Sequence, residues 1–241
     1  MTGIQHSADR KSSVETIVGQ LRSEILSMRL LPGARISEQD VADRFGVSRQ
    51  PVRDAFNRLE SMELIVIRPK RATEVKRFSM ASIEKSRFIR AAVEEAVLRQ
   101  AALACTVADG FLLDANMALQ RKALAERNHP DFARLDYEFH RLICQIAGRP
   151  YAFDVICAEK QKVDRLCLLS LSKEDRMQQL IDDHLAIADA IRAHDAQAAA
   201  KTGMLHLSRL DETIRTIKAT SGAYFEPDET LPEDAAAAIE I

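Results

Sequence analysis

The residues best suited to chemistry in this 241-residue chain are three histidines and an aspartate in its second half. Asp136 and His140, in LDYEFHRL, are four apart, which on a helix sets a carboxylate and an imidazole on one face, one turn apart. His184 follows in DDHLAI and His206 in MLHLSRL. Three imidazoles and one carboxylate brought together would suit Zn²⁺, Ni²⁺ or Mn²⁺ and leave positions open for water or an anion. On spacing alone, three unrelated polar or core histidines are the simpler reading. A second set sits in SRQPVRDAFNRL, Ser48 to Leu59, where Arg49, Arg53 and Asn57 recur every four residues on one face while Val52, Phe56 and Leu59 form an apolar stripe on another. Arginine can fork onto phosphate or guanine and asparagine can pair with adenine, so such a helix could be read by DNA, or it could be an ordinary amphipathic surface helix.

Each set needs elements to hold it. From Ser13, Val14, Ile17, Val18, Leu21, Ile25 and Leu26 fall at helical spacing, ending ahead of Leu30-Leu31-Pro32-Gly33. Ser37 offers an N-cap to a short helix that Gly46 stops. Val47 and Ser48, the latter a second expected N-cap, lead into the Arg/Asn helix, which gives a helix-turn-helix pattern. Leu64–Arg68 (LIVIR) and 73–77 (TEVKR) then read as two strands around a basic turn, 69–72 (PKRA). A hairpin tipped by Arg68, Lys70 and Arg71 suits a wing against DNA phosphate or the minor groove.

From Ser82 to about Lys218 only helices are expected: Ile83–Ala104, Asp109–Glu126, one from Pro130 to Ala147-Gly148, Tyr151–Leu171, Lys173–His194 and Ala196–Lys218. Short connections make these about six helices an antiparallel bundle. The fold class is therefore mainly α: a winged helix-turn-helix followed by an all-helical bundle. The expected domains are a disordered N-terminus at 1–11, the winged helix-turn-helix domain at 12–77, a helical domain at 82–218, to which the resemblance given below adds effector binding and dimerisation, and a disordered acidic tail at 219–241, dispensable for folding.

Charge divides the same way. The net charge is −2, yet residues 1–77 carry 14 Lys and Arg against 10 Asp and Glu, and the remainder 20 against 26. The four cysteines, Cys105, Cys144, Cys157 and Cys167, show no CxxC pairing, and no apolar leader or membrane-length run is present. A cytoplasmic protein with reduced thiols and no membrane partner is the expectation.

The segment PGARISEQDVADRFGVSRQPVRDAFNRLESMELI with the hairpin behind it resembles the winged helix-turn-helix of the GntR family of bacterial transcriptional regulators over residues 12–77. The resemblance implies DNA contacts by Arg35, Ser48, Arg49 and Arg53, to which the helix face and hairpin add Gln50, Asn57, Lys70 and Arg71. One departure is Ala72, where the family's wing usually has glycine.

Farther on, the order Arg90 to Glu94 (R-x-x-apolar-E), Asp136 with His140, Asp183 with His184, and His206 with Leu207 resembles the FCD ligand-binding domain of the FadR subgroup, in its six-helix VanR-like branch. That likeness implies a divalent metal held by Asp136, His140, His184 and His206, with Arg90 gripping the carboxylate of a small organic acid. It implies a ligand-responsive regulator, usually a repressor, that binds a near-palindromic double-stranded DNA operator as a homodimer and is released by a carboxylic or sugar acid. It is not expected to be an enzyme. Two alternatives are a metal-dependent hydrolase-like enzyme carrying a DNA-binding head and a DNA-binding protein with a purely structural metal. Cys144, one turn past His140, is expected in the core; Arg149 replaces a usual asparagine; Phe88 and Arg165 are weaker pocket candidates; and His6, His129 and His194 are expected at the surface.

Overall fold

The computed structural model describes residues 2–68, 71–167 and 173–227, in two compact units. Unit one comprises residues 1–80 and 220–241, and unit two residues 81–219. Lys70 of the expected wing turn and the expected tail from 228 onward lie outside the described residues.

Unit one opens with helix α1, Thr2–Leu26, so residues 2–11 of the expected disordered N-terminus are helical backbone. The stretch lacks an internal proline, and once Val14, Ile17, Val18, Leu21 and Ile25 are seated in the core, extending the helix backwards adds a hydrogen bond per residue without a second nucleation. Helix α2, Glu38–Phe45, starts as expected: the Ser37 hydroxyl accepts from the backbone N–H groups of Gln39 and Asp40. It stops at Gly46, whose φ of 63° is the left-handed conformation that glycine adopts without a Cβ clash. Helix α3, Arg49–Ser61, follows after two residues. The expected Ser48 cap differs in detail: Ser48 occupies the cap position, but its hydroxyl makes no capping bond. Val52, Phe56 and Leu59 are buried at 0, 1 and 0 % exposure against the α1 stripe and Ile36, Val41, Ile65 and Val75.

The wing has one strand more than the sequence indicates. Strands β1 (Arg35–Ile36), β2 (Ile65–Val66) and β3 (Thr73–Val75) form an antiparallel sheet ordered β1-β3-β2, with Arg35 opposite Glu74 and Ile65 opposite Val75. A two-residue strand carries no alternation for a sequence reading to detect. The expected disordered tail at 219–241 is also corrected over its first residues. After the last helix, Gly222–Tyr224 make a 3-10 turn, and Phe225 forms a parallel bridge with Phe78. Phe78 N–H donates to Tyr224 O at 2.9 Å and Glu226 N–H to Phe78 O at 2.8 Å, and the two rings lie 5.6 Å apart, both buried.

Unit two contains six described helices: α4 Met80–Ala104, α5 Val107–Ala125, α6 His129–Ile146, α7 Ala152–Cys167, α8 Lys173–Arg192 and α9 Ala196–Thr220. Their starts carry local reasons. Thr106 and Asp109 close a reciprocal capping box before α5, and the Asn128 side chain accepts from Asp131 N–H ahead of α6, which takes Pro130 in its first turn. The core joins Leu98 and Ala101 of α4, Leu113 and Met117 of α5, Leu135 and Phe139 of α6, and Ile181 and Ile187 of α8. Helix α9 meets α4 closely at Gly203, where a Cβ would stand 2.1 Å from a Leu98 methyl. Only glycine lets these two helices approach so near.

Candidate functional site

On unit one, α3 shows the two faces that its spacing predicts. Ser48, Arg49, Gln50, Arg53 and Asn57 are exposed opposite the buried stripe. Helix α2 orients the cations: Arg49 Nε donates to Gln39 Oε1 at 2.8 Å and Arg53 Nε to Glu38 Oε2 at 3.0 Å. These surface pairs carry little stability, but they hold two guanidinium groups in defined directions on an open face. Arg35, Arg68, Arg71, Ala72 and Glu74 line a cavity beside the sheet, so β1 delivers Arg35 to the wing. Ala72 needs no glycine: the positive-φ residues other than glycine among those described are Met28, Glu63, Arg127 and His194.

On unit two, residues from all six helices meet. His140 on α6, His184 on α8 and His206 on α9 are buried, and one ligating atom from each lies within 4.8 Å of the others. Asp136 on α6 stands beside them, its Oδ1 3.5 Å from His184 Nε2. Three of the four sequence candidates for a metal site thus form one group, and the fourth, Asp136, stands against His184. Phe139 stacks on the His184 ring at 4.3 Å between centroids and fixes its plane.

Each of the four has a partner on its far side. Asp136 Oδ2 accepts from Lys160 Nζ of α7 at 2.9 Å, leaving Oδ1 toward the histidines. His140 Nδ1 lies 3.1 Å from Glu94 Oε2, and Glu94 Oε1 in turn accepts from Arg90 Nε at 2.8 Å. His184 Nδ1 lies 2.9 Å from Gln120 Oε1. His206 Nδ1 is 3.6 Å from Asp183 Oδ2, beyond hydrogen-bond range, so Asp183 acts on it by charge. A carboxylate can only accept, so Glu94 draws the ring proton of His140 to Nδ1. The Nε2 atoms of His140 and His184 are buried and, among the described residues, without a hydrogen-bond partner. Buried polar atoms are nearly always satisfied, and two bare imidazole nitrogens beside a carboxylate fit a divalent cation.

The electrostatics agree with that fit. Burial holds His184 well below the usual imidazole range and lowers His206 too, so both are neutral and can ligate. Burial alone would raise the Asp136 carboxyl; the Lys160 ammonium and the neighbouring imidazoles together outweigh it and hold the group ionised, well below the usual carboxylate range. Burial would raise Glu94 too, and Arg90 together with His140 more than offsets it. Burial pushes the Cys144 thiol up to about 12, so it stays protonated in the core as expected.

A cavity of about 220 Å³ adjoins the cluster, lined by Arg90, Asp136, Tyr137, Lys160, Asp164 and His206 among others. Tyr137 Oη donates to Asp164 Oδ2 at 2.7 Å, and Lys160 Nζ bonds both Asp164 oxygens. Arg90 is therefore at the cavity, as expected, but its Nε is engaged by Glu94. Lys160, Asp164, Tyr137 and Gln120 were not visible in the sequence, because each acts across helices. Of the lesser candidates, Phe88 is exposed on another cavity, and Arg165 is buried outside the lining described here. Arg149 is exposed and donates to Gly148 O at a helix end. His194 is exposed, with Nδ1 near Ala102 O, whereas His129 is half-buried at the cavity, with Nδ1 3.1 Å from Met177 Sδ.

The model of bacterial regulatory proteins of the gntR family matches residues 13–75, and that of the FCD domain matches residues 87–209. The chain is also 37 % identical over 208 residues to the HTH-type transcriptional repressor RspR of Escherichia coli (strain K12), covering 86 % of this chain and 91 % of that protein. The chain belongs to the GntR family of bacterial regulators.

This GntR-family transcriptional regulator with an FCD domain is 26 % identical over 235 residues to the repressor NanR of Edwardsiella tarda (strain FL6-60), covering 89 % of this chain and 90 % of that protein. A crystal structure of a GntR regulator from Rhodococcus sp. RHA1 shares its fold, with a TM-score of 0.66 at 21 % identity over 85 % of this chain and 98 % of that one. No described helix of the regulator is long and apolar enough to cross a membrane.

Proposed function

We propose that this regulator is a ligand-responsive repressor that binds a near-palindromic operator as a dimer and leaves it when a small carboxylic or sugar acid enters the helical unit beside a divalent metal ion. The observation that carries the reading is the pair of bare, buried Nε2 atoms on His140 and His184, next to Asp136 and a polar cavity. Asp136, His140, His184 and His206 would hold the ion, of zinc, nickel or manganese type, and the ion would supply a Lewis-acid anchor for an anionic oxygen. Arg90 and Lys160 line the same cavity and attract a carboxylate, while Asp164 offers an acceptor to a hydroxyl. Charge-assisted bonds of this kind strengthen where water is excluded.

Arg35, Ser48, Arg49, Gln50, Arg53, Asn57 and Arg71 would form the DNA face, and Lys70, next to Arg71 in the sequence, would add to it. One such helix reads too few base pairs to be selective, so two copies on two half-sites are needed. Leu103 of α4 and Val107, Phe111 and Leu112 of α5 are exposed apolar side chains available for a second copy to cover. Release requires the acid to bind two conformations of the regulator unequally. The names of RspR and NanR as repressors support the sign of regulation. A cytoplasmic location, and a role in binding rather than catalysis, complete the proposal.

The test is a thermal-shift screen of metal-loaded regulator against carboxylic and sugar acids, with elemental analysis and operator binding on the same preparation. One acid should raise the midpoint by mass action and weaken operator binding. Arg53→Ala should weaken operator binding about tenfold or more with metal content unchanged. A protein that takes up no divalent metal and responds to no acid would reduce the helical unit to a dimerisation body.

A further inference from the structure

We propose that Asn116 and Gln120 on α5 form an amide relay, anchored on a backbone carbonyl, that fixes which nitrogen of His184 carries the proton and so keeps Nε2 available to a cation. The proposal rests on the metal-site reading above and assigns positioning residues to it.

The assignment starts from an atom whose role is unambiguous. The carbonyl of Leu135 on α6 can only accept, and it takes a hydrogen bond from the Asn116 side-chain nitrogen at 3.2 Å. That turns Asn116 Oδ1 toward Gln120, whose Nε2 donates to it at 2.7 Å. With its nitrogen so used, Gln120 presents Oε1 to His184 Nδ1 at 2.9 Å. An amide oxygen can only accept, so the ring proton sits on Nδ1 and the lone pair on Nε2. Asn116 and Gln120 are both buried, at 8 and 0 % exposure.

The relay is needed because the opposite tautomer has a ready partner. Asp136 Oδ1 lies 3.5 Å from His184 Nε2. A neutral ring free to choose would place its proton on Nε2 and donate it to that carboxylate, which would occupy two cation-binding groups with each other. Phe139 stacked on the ring prevents escape by rotation out of plane. The buried amide chain decides between the two forms, and it does so from Asn116, which does not itself pair with the histidine. Because Leu135 precedes Asp136, the relay also ties α8 through α5 to the turn of α6 that bears the carboxylate.

The test uses full-length, metal-free protein with ¹⁵N-labelled histidine at pH 8, where the ring nitrogens report the tautomer directly, together with zinc affinity by chelator competition. Wild-type His184 is expected to show a protonated Nδ1. Asn116→Leu frees the Gln120 amide to turn, so the signal should shift toward protonated Nε2 and zinc affinity should fall about tenfold to a hundredfold. Gln120→Glu keeps an acceptor at the ring and should retain protonated Nδ1, guarding against a general folding defect as the cause. Protonated Nε2 in the wild type, or unchanged ring signals and zinc affinity in Asn116→Leu, would overturn the relay. A wild type with protonated Nδ1 that binds no zinc would instead support the relay's tautomer control and overturn the metal reading on which its purpose depends.

Discussion

Arg90 shows how one residue's position changes what its removal would mean. It was expected to grip an effector carboxylate, and it lines the cavity, but Nε is spent on Glu94, with both side chains about 5 % exposed. Arg90→Ala would strand a buried carboxylate whose ionised form depends on that guanidinium. It is expected to lower the unfolding free energy by about 3–5 kcal/mol in urea titrations, and Arg90→Met paired with Glu94→Gln should recover much of it. A lost effector response in Arg90→Ala alone would therefore not identify an effector contact. At this scale the clustering of Asp136, His140, His184 and His206 was legible through the resemblance to the FCD domain, whereas spacing alone left three unrelated histidines as the simpler reading. Lys160, Gln120 and Asn116 stayed hidden because each is defined by a partner on another helix, and no spacing along one helix encodes a contact between two.

Among the elements, α1 and α2 are joined by an ion pair that sets a pH window. Arg44 Nη1 donates to Glu24 Oε2 at 2.9 Å, and the hydrogen bonds from Arg44 bring the Glu24 carboxyl from 4.5 down to about 2. The unfolded chain takes up that proton first as pH falls, so the stabilisation is complete above about 4.5 and is lost as pH drops toward 2. With Arg44 half-exposed and screened, it is of order 1–2 kcal/mol. Wild type minus Arg44→Ala stability should thus be constant above pH 5 and shrink toward pH 2 in denaturant titrations, and a difference independent of pH would contradict the pairing. Helices α2 and α3 were legible because Ser37, Gly46 and the buried stripe each act locally. Strand β1 was not, since two residues become a strand only when β3 lies alongside, and the silent Ser48 cap shows that a residue type marks a helix start without specifying its hydrogen bond.

For the whole molecule, the packing of Phe225 on Phe78 leads to the prediction that residues 221–227 are not dispensable for stability. Phe225 is 5 % exposed on Phe78, and its burial contributes about 2 kcal/mol to unit one. Ending the chain at residue 220 should lower the melting temperature of the DNA-binding unit by several degrees, and Phe225→Ala in the full chain should reproduce most of the drop. Calorimetry that resolves the two units would check both, and a chain that melts unchanged would show the segment to be idle. The acidic, Pro- and Gly-containing composition of 219–241 concealed this, because one aromatic residue docking on a distant partner leaves no periodic signature. The same bridge has a practical consequence for measurement. An affinity handle or fluorophore placed after Pro227 is carried by the body that reads DNA, although about 150 residues of sequence separate it from the wing. Immobilising the regulator by its C-terminus on a sensor surface would therefore anchor the operator-binding body itself, and a handle in a loop of the helical unit is the better choice for such assays.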